Sequence, residues 1–232
     1  MPRRLPTLDL AAVLASVADP VGLAGPEDAV ATAMLDATSQ LISRYGLHRW
    51  SLDDVASGAG LGRATVYRRF AGRDELVHAT LARDAHRFFA AIARAVGTAR
   101  SVEDRLVDGF VVGVRAARRS LLGDLVRCDG PEAIGLLMAP PVLAIARDAL
   151  VEAYRSMARH PPADPMAATL VAEAVIRLAL SFVLIPESVL DLDAVDEEAA
   201  RQALLPLLGP WIAVGRRPAL RTSSRAPHRS AR

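Results

Sequence analysis

The chain has 232 residues, a net charge of only +2, 52% hydrophobic residues and 4% aromatics. Alanine- and leucine-rich chains poor in aromatics favour packed helices and argue against sheets, which draw on β-branched and aromatic side chains. Overall charge announces no nucleic-acid partner, and the single cysteine, Cys128, excludes an internal disulfide and fits a reducing cytoplasm. Lysine is absent, so arginine carries every fixed positive side-chain charge. No metal-type Cys/His cluster and no glycine-rich phosphate loop occurs, so neither a metal nor a cofactor is expected.

Residues 1–25 can be read two ways. Arg3 and Arg4 ahead of an apolar run at 10–14 suggest a signal peptide, but Pro6 and Asp9 interrupt its front and the run is short. Leu10, Val13, Leu14 and Val17 instead fall at i, i+3, i+4 and i+7, one helical face. The expectation is a variable N-terminal arm with one short helix.

Pro26, Glu27 and Asp28 look like a helix start, with acids where the helix dipole favours them. Val30, Met34, Ala37, Leu41 and Tyr45 then recur at helical spacing until Gly46 stops the run. Ser51 and Asp54 have the spacing of a capping box, and Trp50 and Val55 stand where a hydrophobic staple would close around it. Gly58 and Gly60 end that short helix, and another begins near Arg63. Val66 and Phe70, four apart, give it a narrow inward side. Ala64 and Arg68 then point outward, flanked by Thr65 and Tyr67, with Arg63, Arg69 and Arg73 extending a basic face. No acid occurs between Leu61 and Arg73. Two short helices, a glycine turn and a cationic outer face made of small residues and arginines describe a helix-turn-helix whose second helix reads DNA.

The same stretch resembles the DNA-binding signature of the tetracycline-repressor (TetR) family of bacterial transcription regulators. The matching features are the apolar-Asp-Asp-Val-Ala run of 52–56, Ala59-Gly60-Leu61, Thr65-Val66-Tyr67, Phe70, and Arg73-Asp74-Glu75-Leu76. Gly62 stands where the family usually has a capping serine, and Arg73 where lysine is usual. Glycine caps less well by a few tenths of a kcal/mol, and arginine still holds a phosphate with a different geometry. The resemblance implies DNA contacts from Ser51, Arg63, Ala64, Thr65, Tyr67, Arg68, Arg69 and Arg73. Arg68 is the expected base reader; Tyr67 and Arg73, with the amide end of the Ser51-capped helix, are the expected phosphate contacts.

Beyond the head, Gly72 and Arg73 open a fourth helix running to about Ala95, and Ser101 with Asp104 caps another containing Leu106, Phe110, Val111 and Val114. Gly123, Gly130, Pro131, Pro140 and Pro141 cut the middle into shorter pieces, with Pro141 placed to start a helix through Met157. A proline-rich break follows at 160–165. The most hydrophobic helix is expected over 166–185; Glu173 and Arg177 in its middle argue against a membrane span. A last helix is expected from Asp193 to about Leu208, and the acid-free, arginine-rich end reads as a disordered tail.

These pieces predict an all-α chain with an arm at 1–25, a three-helix head at 26–72, a helical domain at 73–212 and a basic tail at 213–232. By resemblance, the helical domain binds a small, mostly hydrophobic molecule and forms a homodimer through 166–185 and 194–209, both too apolar for ordinary surface helices. Expected pocket residues are His86, Phe89, Phe110, Arg115, Arg127, Met138, Tyr154, Met157 and Glu173. The implied function is a cytoplasmic, non-enzymatic repressor released from a pseudo-palindromic duplex operator by its effector. Two alternatives are an enzyme, for which no nucleophile-base set or metal spacing speaks, and a helical interaction protein without a working DNA site, against which the retained Thr65, Tyr67 and Arg68 count.

Overall fold

The computed structural model describes residues 9–18, 28–98, 101–157 and 164–216. Every regular element among them is a helix: α1 Leu10–Ala18, α2 Ala29–Tyr45, α3 Leu52–Gly58, α4 Arg63–Arg69, α5 Arg73–Thr98, α6 Val102–Arg119, α7 Leu121–Asp129, α8 Pro131–Leu137, α9 Pro140–Met157, α10 Pro165–Leu184 and α11 Glu197–Arg216.

The helix starts follow capping chemistry. The Asp28 carboxylate accepts the Val30 amide at the head of α2, and Asp164 accepts those of Met166 and Ala167 at the head of α10. Ser101 accepts the Asp104 amide and opens α6. Pro26 and Glu27, expected to share in the start of α2, lie outside the described residues. Buried threonines Thr38 and Thr80 satisfy their hydroxyls on carbonyls four residues back, those of Met34 and Leu76.

Two apolar cores result. One joins the head to its support: Met34, Ile42, Leu47, Trp50, Val55 and Val66 pack with Leu76 and Leu81 of α5, Leu121 and Leu125 of α7, and Val13 of α1. The other holds the rest together, with Val107, Phe110, Val111 and Val114 of α6 against Val175, Val183, Leu204 and Leu208 of α10 and α11. Helix α5 passes from the first core to the second without a break, about 39 Å at 1.5 Å per residue.

Three details depart from the pattern-based reading. The short N-terminal helix is part of the core: Asp9 caps it by accepting the Ala12 amide, Val13 is fully buried, and α1 packs on α5 and α9. Helix α11 starts at Glu197, later than expected. Asp191 takes the amides of Asp193 and Ala194 into a separate turn, and Asp196 makes the new cap by accepting the Ala199 amide. At its other end α11 continues through Pro206 and Pro210 to Arg216, so residues 213–216, expected in the tail, are helical. The remainder of the tail, 217–232, and residues 1–8 and 19–25 of the arm lie outside the described residues.

One helix among the described residues, α10, is long and apolar enough to cross a membrane, and only 22% of its most apolar stretch is buried. Its two sides divide as the helical wheel requires. Val171, Val175, Leu178 and Phe182 enter the second core, while Leu170, Ala174, Arg177 and Ser181 are exposed. Arg177 donates two hydrogen bonds to the Glu173 carboxylate, so these charges are paired along the helix surface.

Candidate nucleic-acid interface

The helix-turn-helix is built by short-range bonds. Ser51 Oγ accepts the Asp54 amide while Asp54 Oδ2 accepts the Ser51 amide at 2.8 Å and the Ser51 hydroxyl at 2.7 Å. This reciprocal box holds the Asp54 carboxyl below the usual carboxylate range, chiefly through the Ser51 hydroxyl. The Ser51 hydroxyl donates its hydrogen bond to Asp54, so that donor is committed within the box. The chain then turns through residues 59–62, where Gly60 has φ +67°, a left-handed conformation that favours glycine. The Leu61 amide closes the turn on the Ala56 carbonyl at 2.9 Å. Gly62 begins α4 with no side-chain cap, and only the Thr65 amide bonds back to its carbonyl.

Fully buried Val66 and half-buried Phe70 hold α4 against the head core, leaving Ala64, Tyr67, Arg68 and Arg69 exposed; Tyr67 keeps 58% of its surface open. The acid-free run from 61 to 73 does not leave all its arginines unpaired. Arg63 pairs with Asp53 of α3 at 2.8 Å, and Arg69 with the α2 cap Asp28 at 3.5 Å. Arg73 lies over the Trp50 ring, 4.2 Å from its centroid, as a cation–π stack. Arg68, exposed in the middle of α4, has no hydrogen-bond or ion-pair partner among the described residues. Sequence inspection could not find these partners, because Asp28, Trp50 and Asp53 lie outside the run and reach it only through folding. Exposed ion pairs contribute little, roughly 0–1 kcal/mol, so Arg63 and Arg69 can exchange an acid for a phosphate at small cost.

The head is tied to α7 at the far end of α2. Gly46 caps α2 with φ +72°, and a Cβ there would fall 2.1 Å from the Asp129 carboxylate. That carboxylate accepts the Leu47 amide at 2.8 Å. The Ser43 hydroxyl donates to Asp124, and the Cys128 thiol donates to the Ser43 carbonyl at 3.4 Å. Cys128 is therefore a partly buried packing and bonding residue of this joint.

The described residues also line a partly open apolar cavity of about 100 Å³ between α1, α5, α7, α8 and α9. Its only polar side chains are Asp84 and Ser120. Ser120 is committed to capping, donating to the Ala117 carbonyl and accepting the Leu122 amide. Asp84 accepts the Leu121 amide at 3.1 Å through Oδ2. Burial is the largest influence on its carboxyl and pushes it above the usual carboxylate range, against the opposing Leu121 hydrogen bond.

The sequence-nominated pocket residues lie elsewhere. Phe110 meets Phe182 edge-on in the second core at 5.8 Å, and Phe89 stands edge-on to Phe88, 5.0 Å away. Arg115 donates to the Leu192 and Val195 carbonyls, Arg127 pairs with Asp124, and Glu173 with Arg177. Met138 is exposed and Tyr154 half-buried, while His86 has a buried Nε2 without a hydrogen-bond partner. The Met157 side chain lies outside the described residues. The cavity is instead walled by Leu10, Leu14, Leu81, Phe88, Leu125 and their neighbours. Nothing local in the sequence distinguishes Asp84 from the other acids of α5.

Residues 34–80, which hold most of α2, all of α3 and α4 and the start of α5, match the pattern of bacterial regulatory proteins of the tetR family. No curated protein matches the chain significantly. Among solved structures, a TetR-like transcriptional regulator from Rhodococcus sp. RHA1 superposes with a TM-score of 0.52 at 22% identity, covering 79% of this chain and 96% of that one. SCO4454, a TetR-family transcriptional regulator from Streptomyces coelicolor, does so with a TM-score of 0.53 at 16% identity, covering 89% and 96%. At such identities the likeness concerns the fold, and it extends across the body as well as the head. Together, the superpositions give the chain the all-helical fold of these regulators, and the match over residues 34–80 gives its helix-turn-helix head the pattern of bacterial regulatory proteins of the tetR family.

Proposed function

We propose that the protein is a homodimeric transcriptional repressor that leaves its operator when a small, mostly apolar molecule binds its helical body. The observation that carries this reading is the outer face of α4, where Arg68 stands exposed and unpaired between arginines held by acids. Arg68 is the base reader, suited to the O6 and N7 of a guanine by its two-pronged donor geometry. Tyr67, Arg63, Arg69 and Arg73 hold phosphates, and the Trp50 stack presets the Arg73 guanidinium before DNA arrives.

Dimerisation uses the exposed side of α10 together with α11. Met166 at 66%, Leu170 at 62% and Leu207 at 63% exposure are open in the single chain. Large apolar side chains exposed in this way are typical of an interface, and two-fold pairing is the commonest closed arrangement. Two copies of α4 then enter successive major grooves ~34 Å apart on a pseudo-palindromic site. The repressor role and cytoplasmic location follow the habit of the family.

A gel-shift titration with duplex DNA from upstream of the protein's own coding region tests the proposal. The expected result is a discrete complex that survives excess non-specific duplex and is lost on adding effector. A complex competed equally well by any duplex contradicts site-specific regulation.

A further inference from the structure

The cavity at Asp84 deepens the effector-release reading and rests on it. We propose that α1 is a built-in plug of the effector site. The effector class is a lipophilic molecule with one hydrogen-bond donor, which takes the place of Leu10, Val13 and Leu14 against α5, α7, α8 and α9.

Size is the first argument. With α1 seated, the cavity measures about 100 Å³, whereas sites for ordinary small ligands measure about 300–1,000 Å³. Three lining side chains, Leu10, Val13 and Leu14, come from α1, and the remaining walls from four helices of the body. Withdrawal of α1 widens this partly open cavity into an apolar trough floored by Leu81, Phe88, Leu125 and Leu137. The helix already occupying that trough shows what it accepts, a row of aliphatic groups.

Asp84 supplies the second argument. Its Oδ2 is taken by the Leu121 amide, and no described group donates to Oδ1. A carboxyl in a lining otherwise made of apolar groups and a committed serine fits a ligand with one amine or hydroxyl donor. Burial raises its carboxyl from the ordinary value, opposed by the Leu121 amide and by the charges of Arg87 and Arg83.

The third argument is that α1 is easily released. It has nine residues, too few for a helix to persist alone in water, so it depends on docking. Ten residues separate its end at Ala18 from the start of α2 at Ala29, which tethers the plug to the first helix of the head. On the same α7 that walls the cavity, Asp124, Cys128 and Asp129 bond to Ser43 and Leu47 at the end of α2. Exchange of plug for ligand therefore acts on both ends of α2.

The test uses the full chain and N-phenyl-1-naphthylamine, a fluorescent lipophile with one N–H. Hydrogen exchange with and without saturating probe is expected to speed amides of residues 10–18 about tenfold, as a local unfolding equilibrium shifts. Unchanged or slowed exchange there overturns the plug. The Leu10→Ser/Leu14→Ser variant should bind the probe about tenfold more tightly, because the competent state is no longer rare; equal affinity overturns the proposal. The N-methylated probe should bind about tenfold more weakly to wild type and equally in Asp84→Ala. Absence of that difference removes Asp84 from recognition, and failure of either probe to bind any form removes the ligand class. Operator titrations run in parallel separate the two readings. Probe that frees α1 while DNA stays bound contradicts effector release alone, and DNA released with α1 still protected contradicts the plug alone.

Discussion

The molecule presents two unsatisfied surfaces of opposite character. On the head, α4 shows arginines and Tyr67 around a small apolar root, with Val66 alone fully buried beneath them. On the body, α10 and α11 show Met166, Leu170 and Leu207 to solvent. A cationic, irregular face suits a polyanion, whose counterions it releases on binding. An apolar face with few charges gains nothing from DNA but gains from any partner that removes it from water. On the proposed function, the contrast assigns ligand selection to one surface and, to the other, the number of copies of the first that are presented.

Breaking the apolar surface should have the largest effect. Leu170→Glu combined with Leu207→Glu touches exposed residues only, so helix content by circular dichroism should stay unchanged. Sedimentation should show a monomer, and operator affinity should fall by about 10³ or more, toward the level of non-specific binding. A monomeric variant that keeps full affinity would separate the two surfaces altogether.

The joint between the surfaces comes next. Gly46→Ala forces a side chain into φ +72° and onto the Asp129 carboxylate, and should destabilise the chain by about 2 kcal/mol or more in urea unfolding. In an Asp129→Ala background the clash is gone and only the backbone strain remains, so the two substitutions should be strongly non-additive. Additive effects would show that the head is not fitted against α7 at this point.

On the cationic surface, Arg73→Ala should lower affinity for every duplex alike and reduce the salt slope by about one ion. Loss confined to one sequence would move Arg73 from positioning to reading. The smallest effect concerns Asp84. Its folded carboxyl is raised by burial, so the charged form opposes folding above that raised value and the opposition vanishes below the unfolded one. Asp84→Asn should raise Tm at neutral pH, with the gain shrinking as pH falls into the carboxylate range. A gain independent of pH would assign the effect to packing instead.

The head was legible because its instructions are local. Ser51 and Asp54 sit three residues apart and bond across those three, and Gly60 occupies the one turn position where φ is positive. The alternation of Val66 and Phe70 with Arg68 likewise fixed which side of α4 faces out. Illegible features are those made by distant segments. Asp28 and Asp53 neutralise Arg69 and Arg63 across the head, which a count of charges within the run could not reveal. The cavity draws on five helices, and polarity or aromaticity along the chain does not tell which of their faces meet. The N-terminal helix was visible from its apolar spacing, but its burial against α5 and α9 depends on a surface far along the chain. At α11, Pro206 and Pro210 are accommodated inside a helix that the sequence pattern ends near Leu208.

The central claim is that an unpaired Arg68 on each of two joined heads reads DNA. Selection of bound duplexes from a random library, by wild type and by Arg68→Ala, tests it most directly. The account predicts a pseudo-palindrome with half-sites about one helical turn apart, and relaxation at one guanine-containing pair in each half-site for Arg68→Ala, worth about 1–3 kcal/mol of discrimination. Identical preference profiles for the two proteins, or a selected site without two-fold symmetry, would contradict it.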